Sequence, residues 1–314
     1  MKDGFGRDIY YLRLSVTDKC NLRCIYCMPE TGVQKLKHED ILSVEEIGEI
    51  VRASAACGIT KVRITGGEPL VRRGIIEICK KISGTEGINE VCLTTNAILV
   101  PQYAEELKTA GIHRLNISLD SLDRDTYKNI TRSDSLDEAL AGIDVALKTG
   151  FDVKINAVLI GAINDKDILT LLDLTRRFNV NVRFIEIMPV GECANWAESR
   201  FVSAQCVRKL APELREAGTD GVSKQYMLPG GRGTVGLISP ISSHFCPACN
   251  RIRVTADGVL KPCLHSAEEI KLRGLQGAEL EDIIRRAIFK KPKKHELDEG
   301  EHSSAVRNMN AIGG

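Results

Sequence analysis

Cys20, Cys24 and Cys27 stand in the segment Cys20-Asn-Leu-Arg-Cys24-Ile-Tyr-Cys27, three thiols on one short loop. Thiolates so spaced can ligate three irons of a four-iron cubane and leave the fourth open. A vacant coordination position separates a metal site that does chemistry from one that is only structural. Such an iron could chelate a small ligand such as an amino acid. Three structural cysteines, or three quarters of a zinc site completed elsewhere, are the competing accounts. A second group, Cys246-Pro-Ala-Cys249-Asn-Arg251-Ile-Arg253 followed by Cys263, reads as a hairpin on which three more thiolates converge. Spacing alone leaves a zinc knuckle open there, with His244 or His265 as fourth ligand. Arg251 and Arg253 flank Ile252, so strand alternation sends both guanidiniums to one side as an anion site beside the metal.

The elements that must carry these groups are legible in the periodicity. Short β-branched runs alternate with helical patterns through the first two thirds, the mark of a parallel sheet wrapped by helices. Strands are expected near Leu12 to Val16, Val62 to Thr65, Val91 to Thr94, Leu115 to Leu119, Val153 to Leu159 and Val182 to Ile187. The fold class is therefore α/β, an incomplete (βα)6 TIM-like barrel with an open lateral mouth. Ser43 with Glu46 and Ser135 with Glu138 form capping-box patterns, and Gly58 and Gly150 sit where helices end. The segment 135–150 places Leu136, Leu140, Ile143 and Leu147 on one helix face. Residues 1–190 are read as the barrel and 191–314 as a smaller C-terminal module over its mouth. Gly230 to Gly236 reads as a flexible hairpin, and the polar stretch from Lys291 onward as mobile.

In such a barrel functional groups gather where strands end. After the second strand comes Thr65-Gly66-Gly67-Glu68-Pro69, whose glycines permit close backbone approach and whose Glu68 could take an ammonium. An ordinary Gly-Pro turn is the plain alternative. Thr94-Thr95-Asn96, Ser118-Leu-Asp120-Ser121 and Met188-Pro189 follow later strands, each weak alone. Lys154 and Asn156 share one strand face, and an inward lysine is costly without an anion unless it snorkels to water. No Walker A pattern occurs, so any phosphate must be gripped by arginine and lysine.

The 43 lysines and arginines nearly cancel 42 aspartates and glutamates, so no overall field draws the chain to nucleic acid or an anionic membrane. No run of 18 apolar residues occurs and the first residues carry no apolar leader, which together with an odd eleven cysteines points to the cytoplasm. The lone Cys57, Cys79, Cys92, Cys193 and Cys206 read as packing.

The first trio, with Tyr26 just before its last cysteine, resembles the radical S-adenosylmethionine superfamily, whose members reduce a [4Fe–4S] cluster and split the sulfonium to a 5′-deoxyadenosyl radical. Thr65 to Pro69 resembles that superfamily's GGEP segment. The wider pattern resembles the superfamily branch that cyclises GTP at the start of molybdenum cofactor synthesis. It is carried by FGR, LRLSVTDKCNLRCIYCMPE, RITGGEPLVR, LTTN, NISLDSL, FIEIMPVG, ISPISSHFCPACNRIRVTADGVLKPCL and the terminal Gly-Gly. The resemblance implies that Tyr26, Gly67, Ser118 and Met188 contact S-adenosylmethionine. It implies that Arg13, Arg63, Thr94, Lys154, Arg251, Ile252 and Arg253 contact GTP, with Arg13, Arg251 and Arg253 acting in catalysis. Cys20, Cys24 and Cys27 would hold one [4Fe–4S] cluster, and Cys246, Cys249 and Cys263 a second that meets the purine. Hydrogen abstraction from ribose C3′ would be followed by attack on guanine C8, with Gly313 and Gly314 reaching into the site. An electron donor, a homodimer and a downstream enzyme receiving the cyclic product are further implications of the family. Ala97 departs from its pattern, standing where glycine usually follows TTN.

Overall fold

Along strand after strand, alternate residues divide between an apolar and a polar destination, and that division builds the architecture. The computed structural model describes every residue except 34, 35, 195, 296, 298–302, 306 and 314. In β1 (Tyr11–Ser15) Leu12 and Leu14 enter the apolar core while Arg13 between them lines a cavity. The same alternation recurs in β2 (Lys61–Thr65), β4 (Arg114–Ser118), β5 (Asp152–Leu159) and β6 (Asn181–Glu186). There Val62, Ile64, Leu115, Ile117, Val153, Ile155, Val182 and Phe184 join the core. Strand β3 (Glu90–Thr95) completes the six expected from sequence, each within two residues of its expected bounds.

The chain continues through β7 (Arg215–Asp220), β8 (Ser223–Met227), β9 (Thr234–Ile238), β10 (Arg251–Val254), β11 (Val259–Lys261) and β12 (Ile270–Lys271). All twelve form one sheet in the order β12-β11-β10-β1-β2-β3-β4-β5-β6-β9-β8-β7. β10 lies parallel to β1, with Arg13 opposite Arg253, and β9 lies parallel to β6, with Arg183 opposite Gly236. Later residues thus extend both edges of the six-stranded core, and β10 and β11 form the antiparallel hairpin expected around the second cysteine group.

Helix α1 (Val44–Ala56) starts at the expected capping box, with Ser43 Oγ accepting from Glu46 N and Glu46 returning to Ser43 N. Ser135 does not cap: its hydroxyl lies 3.0 Å from Ser133 Oγ instead, and the helix Leu136–Lys148 begins without a side-chain bond. The buried stripe of that helix also differs from expectation, running through Leu136, Ala139, Gly142, Ile143 and Ala146, while Leu140 and Leu147 are half-buried at its margin. Close packing selects the small side: a Cβ on Gly142 would sit 2.0 Å from the Ala97 carbonyl oxygen. Ala97 itself takes φ +70°, so the turn after Thr94-Thr95-Asn96 keeps a glycine-like conformation despite its Cβ.

Two expectations of looseness are corrected. The hairpin at Gly230 to Gly236 is docked, Arg232 N and Gly233 N donating to Thr175 O. Part of the stretch from Lys291 is packed: Lys291, Asn310 and Ile312 are buried and a short helix spans Met309–Ile312, while Lys293, Lys294 and Ser304 are exposed. Its Gly314 lies outside the described residues. Gly142→Ala should lower the urea-unfolding free energy of the metal-free protein by about 1–3 kcal/mol through overpacking against the Ala97 turn.

Candidate active site

An ordinary βα barrel fills its interior with layers of apolar side chains. This one lines a cavity of about 390 Å³ with cations and sulfur. Arg253, Arg13 and Arg63 lie side by side across β10, β1 and β2 in register. Arg63, Lys154, Arg183 and Arg253 are all at least nine-tenths buried. Burial and the neighbouring Arg253 and Arg63 hold Arg13 well below its usual range. Burial, then Arg251, pulls Arg253 down to about 10. Lys154 is lowered by burial and by Arg183.

One carboxylate answers part of this charge from the tip of the β7–β8 hairpin. Asp220 Oδ2 accepts from Lys154 Nζ at 2.5 Å and also from Arg183. Burial raises its pKa, but Lys154 and Arg183 outweigh that and hold it near 2. Elsewhere on the wall, buried polar atoms have no hydrogen-bond partner: Arg63 Nε, Arg251 Nε, Thr94 Oγ1 and Asn156 Oδ1. A pocket built this way fits a large, polar, polyanionic ligand.

Both cysteine trios line the same cavity. Cys20 to Cys27 follow the carboxyl end of β1; Cys246 and Cys249 precede β10, and Cys263 follows β11. Because β10 is parallel to β1 and antiparallel to β11, the second trio lies at the amino end of the sheet and the first at its carboxyl end. A five-residue strand separates such ends by roughly 15 Å.

The first trio is held from several sides. Arg23 N and Ile25 N donate to Thr131 O and Ile130 O. Tyr26 Oη donates to Asp120 Oδ2 at 2.8 Å, and Asp120 Oδ1 accepts from Val158 N. Cys193 is more than packing, since its thiol donates to Tyr26 O at 3.1 Å. Gly66 and Gly67 press on the backbone just before Cys20: a Cβ on Gly67 would lie 2.4 Å from Lys19 O. Glu68, raised by burial to about 7, accepts from Leu70 N, Thr95 Oγ1 and Asn96 N, so its first duty is to fix this turn.

The donor set suits an iron–sulfur cluster. All three thiols are free of disulfides, and Leu22 N donates to Cys20 Sγ at 3.4 Å. Burial pushes Cys20 to about 11 and Cys27 to about 12, so the apoprotein keeps them as thiols until metal displaces the protons. Among the described residues no group of three or more His, Cys, Asp or Glu is gathered as ligands of a single ion would be. Sulfurs that bind separate irons of a cubane have no need to be.

Residues 14–175 match the radical SAM superfamily, and residues 180–297 match Molybdenum Cofactor Synthesis C. The chain is 51% identical over 320 residues to GTP 3′,8-cyclase of Alkaliphilus metalliredigens (strain QYMF), covering all of both chains. It is 48% identical over 322 residues to GTP 3′,8-cyclase of Alkaliphilus oremlandii (strain OhILAs), again covering both fully. The chain belongs to the GTP 3′,8-cyclase family. Membership in the radical SAM superfamily brings S-adenosylmethionine and an iron–sulfur cluster as cofactors. The fold is shared with Streptococcus suis SuiB bound to S-adenosylmethionine, at TM-score 0.60 and 16% identity over 88% of this chain and 68% of that one.

Of the residues singled out from sequence, Arg13, Tyr26, Arg63, Gly67, Thr94, Ser118, Lys154, Met188, Arg251, Arg253 and all six clustered cysteines line the cavity. Ile252 does not: its side chain is fully buried in the apolar core, as its place between two inward arginines requires. Arg183, Asp220 and Lys291 were missed. Arg183 carries the signal that marked Lys154, a cation flanked by core residues in a central strand. Asp220, at the end of β7, and Lys291, just past the helix Gly277–Phe289, carry no local pattern that marks them.

At neutral pH Asp220→Asn should destabilise the metal-free protein modestly. The salt-bridged carboxylate stabilises above its ordinary pKa of 3.8 and loses that effect as the pH falls toward 2. The difference in urea midpoint from wild type should therefore begin to close below about pH 4.

Proposed function

We propose that this chain converts GTP to 3′,8-cyclo-7,8-dihydro-GTP by radical chemistry, the first step of molybdenum cofactor biosynthesis. The carrying observation is the cationic wall itself: Arg253, Arg13 and Arg63 in register, with Lys154 and Arg183 beside them, between cysteine trios at opposite ends of one cavity. The curated relatives that match it over full length bear the name of that activity. Cys20, Cys24 and Cys27 would hold a [4Fe–4S] cluster, with Tyr26, Gly67, Ser118 and Met188 about S-adenosylmethionine. Cys246, Cys249 and Cys263 would hold a second [4Fe–4S] cluster at the purine end.

When bound, the first cluster and S-adenosylmethionine supply a carbon radical able to take hydrogen from ribose C3′. The protein's own task is to hold the nucleotide so that this atom, and then guanine C8, are in reach, which makes proximity the main contribution of the chain. Lys154 and Arg183 exchange one Asp220 oxygen for phosphate oxygens. The unpartnered Arg63 Nε and Thr94 Oγ1 take up nucleotide acceptors and donors, and a polyanion relieves the mutual repulsion of Arg13, Arg63 and Arg253. Arg253 Nη1 donates to Gly313 O at 2.8 Å, and a Cβ on Gly313 would lie 2.5 Å from Thr65 Oγ1, so the tail closes the cavity where β1, β2 and β10 meet.

Anaerobic reconstitution with iron and sulfide, then assay of 5′-deoxyadenosine with and without GTP, tests this function; release that ignores GTP in the reduced protein refutes it. Lys154→Ala should weaken GTP binding roughly 10- to 100-fold, as expected for loss of one or two charge-assisted hydrogen bonds. It should leave S-adenosylmethionine affinity within about twofold, since Lys154 faces Asp220 and Arg183 rather than the first trio. Isothermal titration of each ligand checks the pair.

A further inference from the structure

Lys291 is 2% exposed, lines the cavity, and belongs to no part of the nucleotide wall described above. Its ammonium donates to Pro262 O at 2.5 Å, the carbonyl immediately ahead of Cys263, and its charge acts on the Cys249 thiol, lowering its pKa against the effect of burial. One buried cation therefore stands beside two arms of the second trio.

Its placement is enforced from both sides. Lys291 N donates to Ile288 O at the end of the helix Gly277–Phe289. The two residues after it are gripped by Arg7, whose Nη2 donates to Pro292 O at 2.7 Å and Nη1 to Lys293 O at 2.9 Å. The same Nη1 donates to Cys246 O at 2.9 Å, while Asp3 Oδ2 fixes Arg7 Nε at 2.6 Å. The ends of this clasp thus hold two of the sulfur-bearing positions, Arg7 at the Cys246 carbonyl and Lys291 just before Cys263. The Phe5-Gly6-Arg7 segment of the sequence pattern gains a purpose from it.

We propose that Lys291 is a positioning residue for the second cysteine trio, holding the approach to Cys263 through the Pro262 carbonyl and setting a buried positive charge against the metal group that the three thiolates carry. The proposal rests on the reading of this trio as cluster ligands. Charge and hydrogen bonds at the sulfurs set the reduction potential of an iron–sulfur cluster, and outer partners that orient ligands govern metal retention. A cation stabilises the more negative, reduced form, so its removal makes the cluster harder to reduce.

The test uses full-length protein, reconstituted anaerobically, as wild type, Lys291→Met and Lys291→Arg. Iron per chain, iron loss to a chelator, and redox titration followed by electron paramagnetic resonance are measured, with the first cluster as internal reference. In Lys291→Met the second cluster should titrate at lower potential and lose iron roughly tenfold faster, while the first keeps its potential. Lys291→Arg should recover most of the potential because the charge remains. Wild-type potential and wild-type iron loss in Lys291→Met would overturn the proposal. Should the methionine variant fail to fold, Lys291→Gln decides: it keeps a donor and lacks the charge, so an unlowered potential refutes the electrostatic role. If wild type binds only one cluster's worth of iron, the reading of the second trio fails instead, a result distinct from any behaviour of the variants.

Discussion

The parallel pairing of β1 with β10 is the constraint on which the site depends. It joins residues 11–14 to residues 251–254, sets Arg13 against Arg253, and fixes strand direction so that the two cysteine trios stand at opposite ends of one cavity. Had β10 met β1 antiparallel, both trios would lie at one end and the arginine row would lose its register. The pairing is held by apolar residues facing outward, Leu12 and Leu14 with Ile252 and Val254, all in the continuous core. The same period of two that seals the core turns the guanidiniums inward.

Burying several cations together is unfavourable, and here the molecule offsets that cost incompletely. Asp220 pairs with Lys154 and Arg183 from a position with 42% side-chain exposure, while Arg63 and Arg251 keep unpartnered Nε atoms. The two ends of the cavity also differ in sign. Burial, reinforced by the charges of Glu68 and Asp120, keeps thiols of the first trio protonated, whereas Lys291 and Arg251 offset the effect of burial on Cys249 and hold it below the usual thiol range.

Much of this was legible from residue spacing. Six central strands, the capping box at Ser43 and the inward alternation of Lys154, Arg251 and Arg253 follow from local pattern, and the structure has them. What escaped local pattern is long-range. Nothing near Asp220 announces a partner in β5, and the polar composition after Lys291 conceals a lysine buried against residue 262, with the residue that follows it held by Arg7. The helix Leu136–Lys148 shows a subtler limit: leucines at helical spacing suggest one face, but the neighbouring Ala97 turn admits only the small residues of the adjacent stripe. Ser135 matches a capping box in letters, yet Ser133 competes for its hydroxyl.

The shared sheet has a consequence for how the molecule is made. β1 leaves the ribosome well before its partner on one side, which is roughly 240 residues later in the sequence, as the pairing of Tyr11 with Arg251 requires. At synthesis rates of about 5–20 residues per second, that edge waits on the order of 10–50 seconds with its backbone unpaired. β6 waits more briefly, for β9. A nascent chain therefore exposes the flank of β1, with Cys20 to Cys27 close behind it, until β10 has been made. The arginine row that walls the cavity forms only once β10 is present.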